Sequence, residues 1–410
     1  MRQLVIRAGA ARLAGVPVGG QRQEGARPGP AIAAAMLSNV VSAIPVFLVG
    51  ANSVAIMREL NLTPFMYGVS IAWYFLVSAI VSAVGGGTGD RFGPPVVMAV
   101  GASISGTSLL LVALLPPSWG LLSFLLAVAG SANGLAQPAS NSLLARCVQR
   151  AQQGLAFGLK QAAVPLATML AGIGVPLVVV TWGWRWAFGS ATVLPLAFLA
   201  MLASLPPVRT TATALTGSEP KGGSSTSSLR GLAIGAACAS AAANGMAAFY
   251  VDAAVQAGYS ESRAGVWFAV GGMIAVLARV VHGVLADRRG GGHFRATWRL
   301  MLAGGVGFVL LAGAPTGAAR GFATVLAYGA AWGWPGLFNF AVVTQNPGGP
   351  AKATGVTQAG IFVGGIVGPP AFAVAVQLAG YKMAWLSGGA ALAIAAATLT
   401  VAQRSIVDRP

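Results

Sequence analysis

Acid is what this chain has least of. Its 410 residues hold eight Asp and Glu against 25 Lys and Arg, and only four of the acids are aspartates. The charged groups are too few and too dispersed for a membrane enzyme, which would gather its catalytic groups at one interface. Two histidines, His282 and His293, and two cysteines, Cys147 and Cys238, are all the chain has of either type. They lie at no ligand spacing, which excludes a metal site of the usual kind. The cysteines also form no disulfide framework and read as inert thiols in apolar segments. No G-x-S-x-G elbow, phosphate loop or dinucleotide fingerprint occurs. Charged residues make up 8% of the chain, against about 25% in a soluble domain.

What is present is apolar length. Apolar residues are 56% of the total, in runs of the roughly 20 residues that a bilayer requires of a spanning helix. Twelve such runs are read near 31–57, 66–85, 95–115, 119–145, 155–180, 186–205, 231–255, 264–285, 297–314, 320–343, 354–378 and 382–402. Residues 1–30 form a basic, glycine-rich tail, 206–230 a polar linker, and 403–410 a short C-terminal tail. The spans divide into bundles over 31–205 and 231–402.

The two bundles are copies. A constant shift of 197 residues lays Asp90-Arg91 on Asp287-Arg288, Gly86 on Gly283, Pro138 on Pro335, Gly158 and Gln161 on Gly355 and Gln358, and Gly183 on Gly380. With four aspartates in the chain, the Asp match is not fortuitous, and a fixed period is the signature of a repeat. Six spans per copy make the copies parallel, related by an axis along the membrane normal. That is the design of carriers whose solute binds between the halves. The loops on the side of the termini hold most of the arginines. The opposite side holds Arg58, Arg185, Arg263, Arg320 and Lys382. By the inside-positive rule both termini are expected to be cytoplasmic. The positive charge is spread over short loops with no nucleic-acid motif around it, so nucleic acid is not an expected partner.

Gly86-Gly-Thr-Gly-Asp90-Arg91-Phe-Gly93 follows the second span, and Gly283-Val-Leu-Ala-Asp287-Arg288-Arg-Gly290 follows the eighth. Both resemble the G-x-L-A-D-R-x-G loop of the major facilitator superfamily. Gly130-Ser-Ala-Asn-Gly134 and Gly183-Trp-Arg-Trp-Ala-Phe188 resemble its fourth and sixth helices, and the likeness runs over nearly all of 31–405. The resemblance implies an all-α membrane protein of twelve transmembrane helices in two parallel six-helix repeats, working by alternating access. It implies that Gly86, Asp90, Arg91, Gly283, Asp287 and Arg288 belong to the gate on the cytoplasmic side, with glycines permitting a tight turn. Pro94-Pro95 and Gly291-Gly292 depart from the pattern where basic residues are usual. Leu126 stands where proton-driven members often have Arg, and 170–176 lacks the drug-antiporter signature. Lys160-Gln161 and Trp332-Gly-Trp-Pro-Gly336 resemble the cyanate-permease-like, small-anion branch.

Ionisable groups within spans read as functional, because insertion of each costs about 2.5–3.5 kcal/mol. Two cations qualify, Lys160 in the fifth span and Arg279 in the eighth. Glu59, Asp252 and Glu261 are placed at the outer ends, leaving both cations without an intramembrane carboxylate. Facing one cavity, they would be neutralised by an anion from outside. Alternatively, with Lys160 about 7 Å from a span end and Arg279 slightly deeper, they snorkel to the headgroups. Some anion-exchanging relatives in the superfamily use a basic residue in the eighth helix, which favours Arg279. Asn133, Gln137 and Asn141 recur every four residues as one polar stripe, lining a cavity or bonding to a neighbouring helix. Gln161 and Gln358 are equivalent across the repeat. Asn39, Asn244 and Asn339 are further candidates for solute contact, and Asn52 another polar point in the first span. Trp332 and Trp334 sit mid-span with Trp73 and Tyr74 as possible partners. Trp119, Trp182, Trp184, Trp186, Trp298 and Trp385 are read as interfacial anchors.

The reading is a secondary carrier of a small anionic solute in an inner membrane, expected to act as a monomer and without a cofactor. A monocarboxylate or cyanate is the expected kind of solute, moved by exchange, uniport or symport of its protonated form. The alternative is efflux of apolar drugs, with both cations snorkelling; a non-transporting sensor or channel on the same fold is a third class.

Overall fold

The computed structural model describes residues 28–85, 88–115, 117–149, 153–204, 226–288, 293–314, 317–346 and 349–407. Among them every regular element is helical. The first half contains α1 (Pro28–Ala51), α2 (Pro64–Val84), α3 (Pro94–Leu114) and α4 (Trp119–Cys147). It continues with α5 (Gln153–Gly174, running on through a π-turn at Val175–Val179 to Trp182) and α6 (Trp184–Ser204). The second half has α7 (Thr226–Gln256), α8 (Glu261–Arg288), α9 (His293–Gly313) and α10. The last is in three pieces: Gly317–Leu326, a π-turn at Ala327–Ala331, and Trp334–Gln345. Pro350–Val407 comprises α11 and α12 on either side of Ala379–Gly380, where Gly380 takes φ +73°.

Ten helices are long and apolar enough to cross a membrane. The segmented α10 and the fused α11–α12 account for the difference from twelve. That α11 and α12 double back is visible along α7. A Cβ on Gly360, Gly364 or Gly368 would strike the carbonyl of Ala233, Ala237 or Ala241, in ascending order. In descending order, Gly231 lies against Ala402 and Gly235 against Leu399.

Local chemistry sets several starts. The Thr63 hydroxyl caps α2 by accepting from the Met66 amide at 3.2 Å, with Pro64 in the first turn. Ser118 caps α4 through Leu121 in the same way. Both supply an acceptor to amides that the helix leaves unpaired. Helix α7 begins at Thr226, inside the expected linker; 205–225 and 1–27 lie outside the described residues.

The halves meet along two seams, α5 on α8 and α2 on α11, with α1 against α7 between them. The 197-residue shift converts one seam into the other, as a parallel repeat demands. In the first seam the backbones touch. A Cβ on Gly172 would lie 2.7 Å from the Gly265 carbonyl, and one on Gly272 would lie 2.7 Å from that of Pro165. Helix packing in lipid depends on such close approach of small residues.

On the face away from the termini the halves are shut. A Cβ on Gly50 would be 2.4 Å from the Ala247 carbonyl, so α1 and α7 are in backbone contact. The Tyr67 hydroxyl lies 2.9 Å from the Val49 carbonyl and 3.0 Å from that of Ala248, and its one proton serves either half. Arg58 and Glu261 form an ion pair at 2.6 Å across the halves.

Candidate functional site

Helix α5 carries Pro165 four residues after Gln161. Proline has no N–H, so the Gln161 carbonyl loses its helical partner. Opposite it, α8 presents Arg279, whose Nη1 donates to that carbonyl. Arg279 Nε donates to the Trp332 carbonyl at 2.7 Å, where α10 is broken between its π-turn and its last piece. Two helix interruptions thus expose two backbone acceptors, and one guanidinium fills both. The Trp332 ring lies 5.8 Å from the guanidinium carbon, within cation–π range. Pro45 acts likewise in α1: it frees the Val41 carbonyl, which accepts from Ser105 at 2.6 Å.

Arg279 is 4% exposed and makes no ion pair among the described residues. It lines a cavity of about 100 Å³ between the halves. Its Nη2 has no hydrogen-bond partner among the described residues. Of the three guanidinium nitrogens it is the one without a bond to the described protein. The cavity wall also contains Gln161 and Gln358, equivalent positions in the two copies, and neither side-chain amide bonds to the described protein. Asn133, Gln137, Ser240 and Asn244 add to its polar lining. Asn133 donates to Ser78 at 3.2 Å and Asn244 to the Ser240 carbonyl at 2.9 Å. Their own carbonyl oxygens remain as acceptors. Phe47, Tyr74, Phe75, Trp332, Trp334 and Phe362 supply the apolar wall.

Lys160 is elsewhere. It is 2% exposed and does not line the cavity. Its Nζ donates to Gln137 Oε1 at 2.7 Å and to Asn141 Oδ1 at 2.8 Å. The polar stripe of α4 therefore divides by depth. Asn133 faces the cavity, Gln137 touches both the cavity and Lys160, and Asn141 holds the lysine from an exposed position. Neither cation snorkels to a headgroup; both are held inside the protein.

Other expected residues are displaced. Asn39 is buried among helices, donating to Ala35 O at 2.7 Å and Ser140 Oγ at 2.9 Å. Asn339 is half-buried on α10, outside the cavity wall. At the expected gate, Gly86 and the side chains of Asp90 and Asp287 lie outside the described residues. Arg91 and Arg288 are exposed, the former over the Phe92 ring at 5.1 Å. Gly283 makes no turn: it is buried within α8, where Gly158 crosses it. The turn belongs to Gly93 at φ +85°.

Asp252 is the largest departure. Expected at an outer end, it is 8% exposed, because α7 continues to Gln256 and α12 starts across it. It accepts from Tyr381 Oη, and from Gln256 Nε2 at 3.2 Å. A buried intramembrane carboxylate therefore exists, although not near either cation's contacts. Two expected anchors are also buried. Trp184 donates to Glu59 at 2.6 Å, and Trp385 packs edge-on to Phe308 and Phe372. Trp73 is 45% exposed, and only Tyr74 of that pair reaches the cavity. A second hollow of about 540 Å³, lined by Arg58, Glu59, Trp184 and Glu261, opens on the face away from the termini. The buried cations take no part in it.

No match was found among curated protein sequences. Solved structures share the architecture. A bacterial homologue of the human lysosomal transporter Spinster matches at TM-score 0.70 and 15% identity, covering 91% of this chain and 96% of that one. The human organic anion transporter MFSD10 (TETRAN) matches at TM-score 0.65 and 16% identity, covering 91% and 99%. A D-xylose–proton symporter matches at TM-score 0.74 and 16% identity, covering 91% and 96%. At these identities the likeness is one of fold. The family model of the Major Facilitator Superfamily matches residues 32–369. Apolar helices in two parallel repeats, a cavity between them and that match agree: the chain belongs to the major facilitator superfamily and has the fold of its transporters.

Proposed function

We propose that the protein is a secondary carrier that moves a small anionic solute by rocking its halves about the Arg279 cavity. One observation carries this reading: a buried guanidinium without a carboxylate partner turns an unfilled N–H donor toward a cavity that holds no acid. The cavity wall contributes amide donors from Gln161 and Gln358, one from each half. A carboxylate or similarly compact anion would complete the fork and neutralise the charge. The resemblance of Lys160-Gln161 and Trp332-Gly-Trp-Pro-Gly336 to the cyanate-permease-like branch agrees with a solute of this size. We place the carrier in an inner membrane with both termini cytoplasmic, on the distribution of basic residues.

Drug efflux is the weaker reading. Sites for drug-sized ligands occupy about 300–1,000 Å³, whereas this cavity is about 100 Å³. The test is uptake of radiolabelled formate, acetate and cyanate into proteoliposomes. Saturable uptake of at least one, lost in Arg279→Ala and partly kept in Arg279→Lys, is the expected result. Equal uptake by the native protein and a folded Arg279→Ala variant would remove the proposal.

A further inference from the structure

The mechanism just proposed leaves one buried ionisable group unused. Asp252 lies one helical turn beyond Ala248, whose carbonyl receives the Tyr67 hydroxyl from the other half. The same Tyr67 ring packs edge-on against Phe249 at 5.3 Å, and Phe249 stacks on Phe372 at 5.5 Å. Phe372 in turn meets Tyr381, the residue bonded to Asp252. The carboxylate is therefore built into the junction that shuts the face away from the termini.

Its surroundings are neutral. From α12 it faces Tyr381, from α2 it feels Tyr67, and from its own helix Gln256. The cations of that face are engaged elsewhere. Arg58 pairs with Glu261, and Arg185 donates to the Leu115 carbonyl. Arg263 stacks on Tyr259, and Arg320 donates to the carbonyls of Ala314 and Ala253. Lys382 is exposed. An ionised carboxylate buried without a cation is costly. Opening this face would return Asp252 to water, where ionisation costs nothing extra. A ligand that binds one conformation better shifts the balance toward it, and here that ligand is the proton.

We propose that Asp252 is a proton-binding site whose protonation holds the face away from the termini shut and whose ionisation favours its opening. The proposal is separate from the anion site and needs no solute to be tested. Ser53 is fully buried beside Tyr67 and serves as the reporter. In full-length protein in detergent, with Cys147→Ser and Cys238→Ser, a Ser53→Cys thiol is titrated with a maleimide. Its labelling rate is divided by that of the same thiol in an Asp252→Asn background, which cancels the thiol's own ionisation. This ratio should rise with pH across the ionisation of Asp252, by at most about tenfold per pH unit, as the linkage of one proton to opening requires. A ratio that stays flat would overturn the proposal. In a Tyr381→Phe background the ionised carboxylate loses a donor, so the midpoint of the rise should move to higher pH. A pH-dependent ratio with an unmoved midpoint would assign the effect to another group and equally overturn it. This second variant keeps Asp252 and stands if Asp252→Asn fails to fold, since its rates can be referred directly to the native background.

Discussion

Arg279 and Lys160 are the same kind of anomaly in the sequence and different things in the structure. Both are cations deep in apolar spans, both lack a carboxylate partner, and each faces an uncharged residue across the repeat, Ser82 and Thr357 respectively. Arg279 bridges the halves, anchored on the backbone carbonyls of Gln161 and Trp332, with a spare nitrogen at the cavity. Lys160 is held within one half by two side-chain amides. Burial of a charge therefore does not by itself mark a solute site. What matters is whether the protein uses all the donors of that group and whether the group sits on the surface that moves.

The comparison can be broken most directly at Arg279. Arg279→Ala should lower initial uptake about a hundredfold, since hydrogen bonds to charged groups contribute about 1.5–3 kcal/mol. Initial rates in proteoliposomes measure it, with size-exclusion elution as the check on folding. A loss below about threefold would make Arg279 structural, like Lys160.

Next in size, Gln137→Leu should strand the Lys160 ammonium with a single partner and lower stability by about 3 kcal/mol, the cost of breaking a buried charged contact from one side. Thermal unfolding in detergent reads it. An unchanged midpoint would mean that Asn141 alone suffices to hold the lysine.

Lys160→Met should be milder, because it removes the charge as well as the bonds. The expected loss is about 1 kcal/mol, from unpaired amide oxygens on Gln137 and Asn141. The apparent affinity for solute should stay within about threefold of native, a small effect on the scale of about 1.4 kcal/mol per factor of ten. If instead uptake falls as far as in Arg279→Ala, the distinction between the two cations collapses.

Pro165→Ala should have an effect of similar energy and the most specific one. It restores an N–H that competes with Arg279 for the Gln161 carbonyl. Solute affinity should change by about fivefold, the equivalent of one hydrogen bond of about 1 kcal/mol. Isothermal titration with the transported anion measures it. No change at all would mean that Arg279 does not depend on the carbonyl that Pro165 frees.

Much of the site was legible before any fold was known, and the parts that were not share a cause. Arg279, Gln161, Gln358, Asn133, Gln137 and Asn244 stand out by polarity within apolar spans, and all six line the cavity. Asn39 carried the same signal and is packed against Ser140 instead. Side-chain polarity shows that a partner is needed, and a helix neighbour serves as well as a solute. The signal for the Arg279 anchor was also present, in the spacing of Gln161 and Pro165, but it identifies only a free carbonyl and not what fills it. Asp252 was misplaced because hydropathy finds the apolar run and not the helix end. The run stops near residue 255, while Tyr381 from the other end of the half closes over the last turn. Trp184 and Trp385 were misread for the same reason: nearness to a span end in sequence is not exposure.

By itself the sequence determined the apolar runs long enough to span a bilayer, their division into two copies, and the presence of Lys160 and Arg279 within those runs. These are local or periodic properties, fixed by the thickness of hydrocarbon and by the impossibility of leaving backbone unpaired within it. Tertiary structure alone decided which polar groups face each other: that Gln137 and Asn141 satisfy Lys160, that Arg279 crosses to Gln161, and that Asp252 lies in a closed junction. Those outcomes depend on the rotation and depth of helices far apart in the chain. They are set by close backbone approach at residues such as Gly50, Gly172 and Gly272, and no pattern along a single helix contains that information.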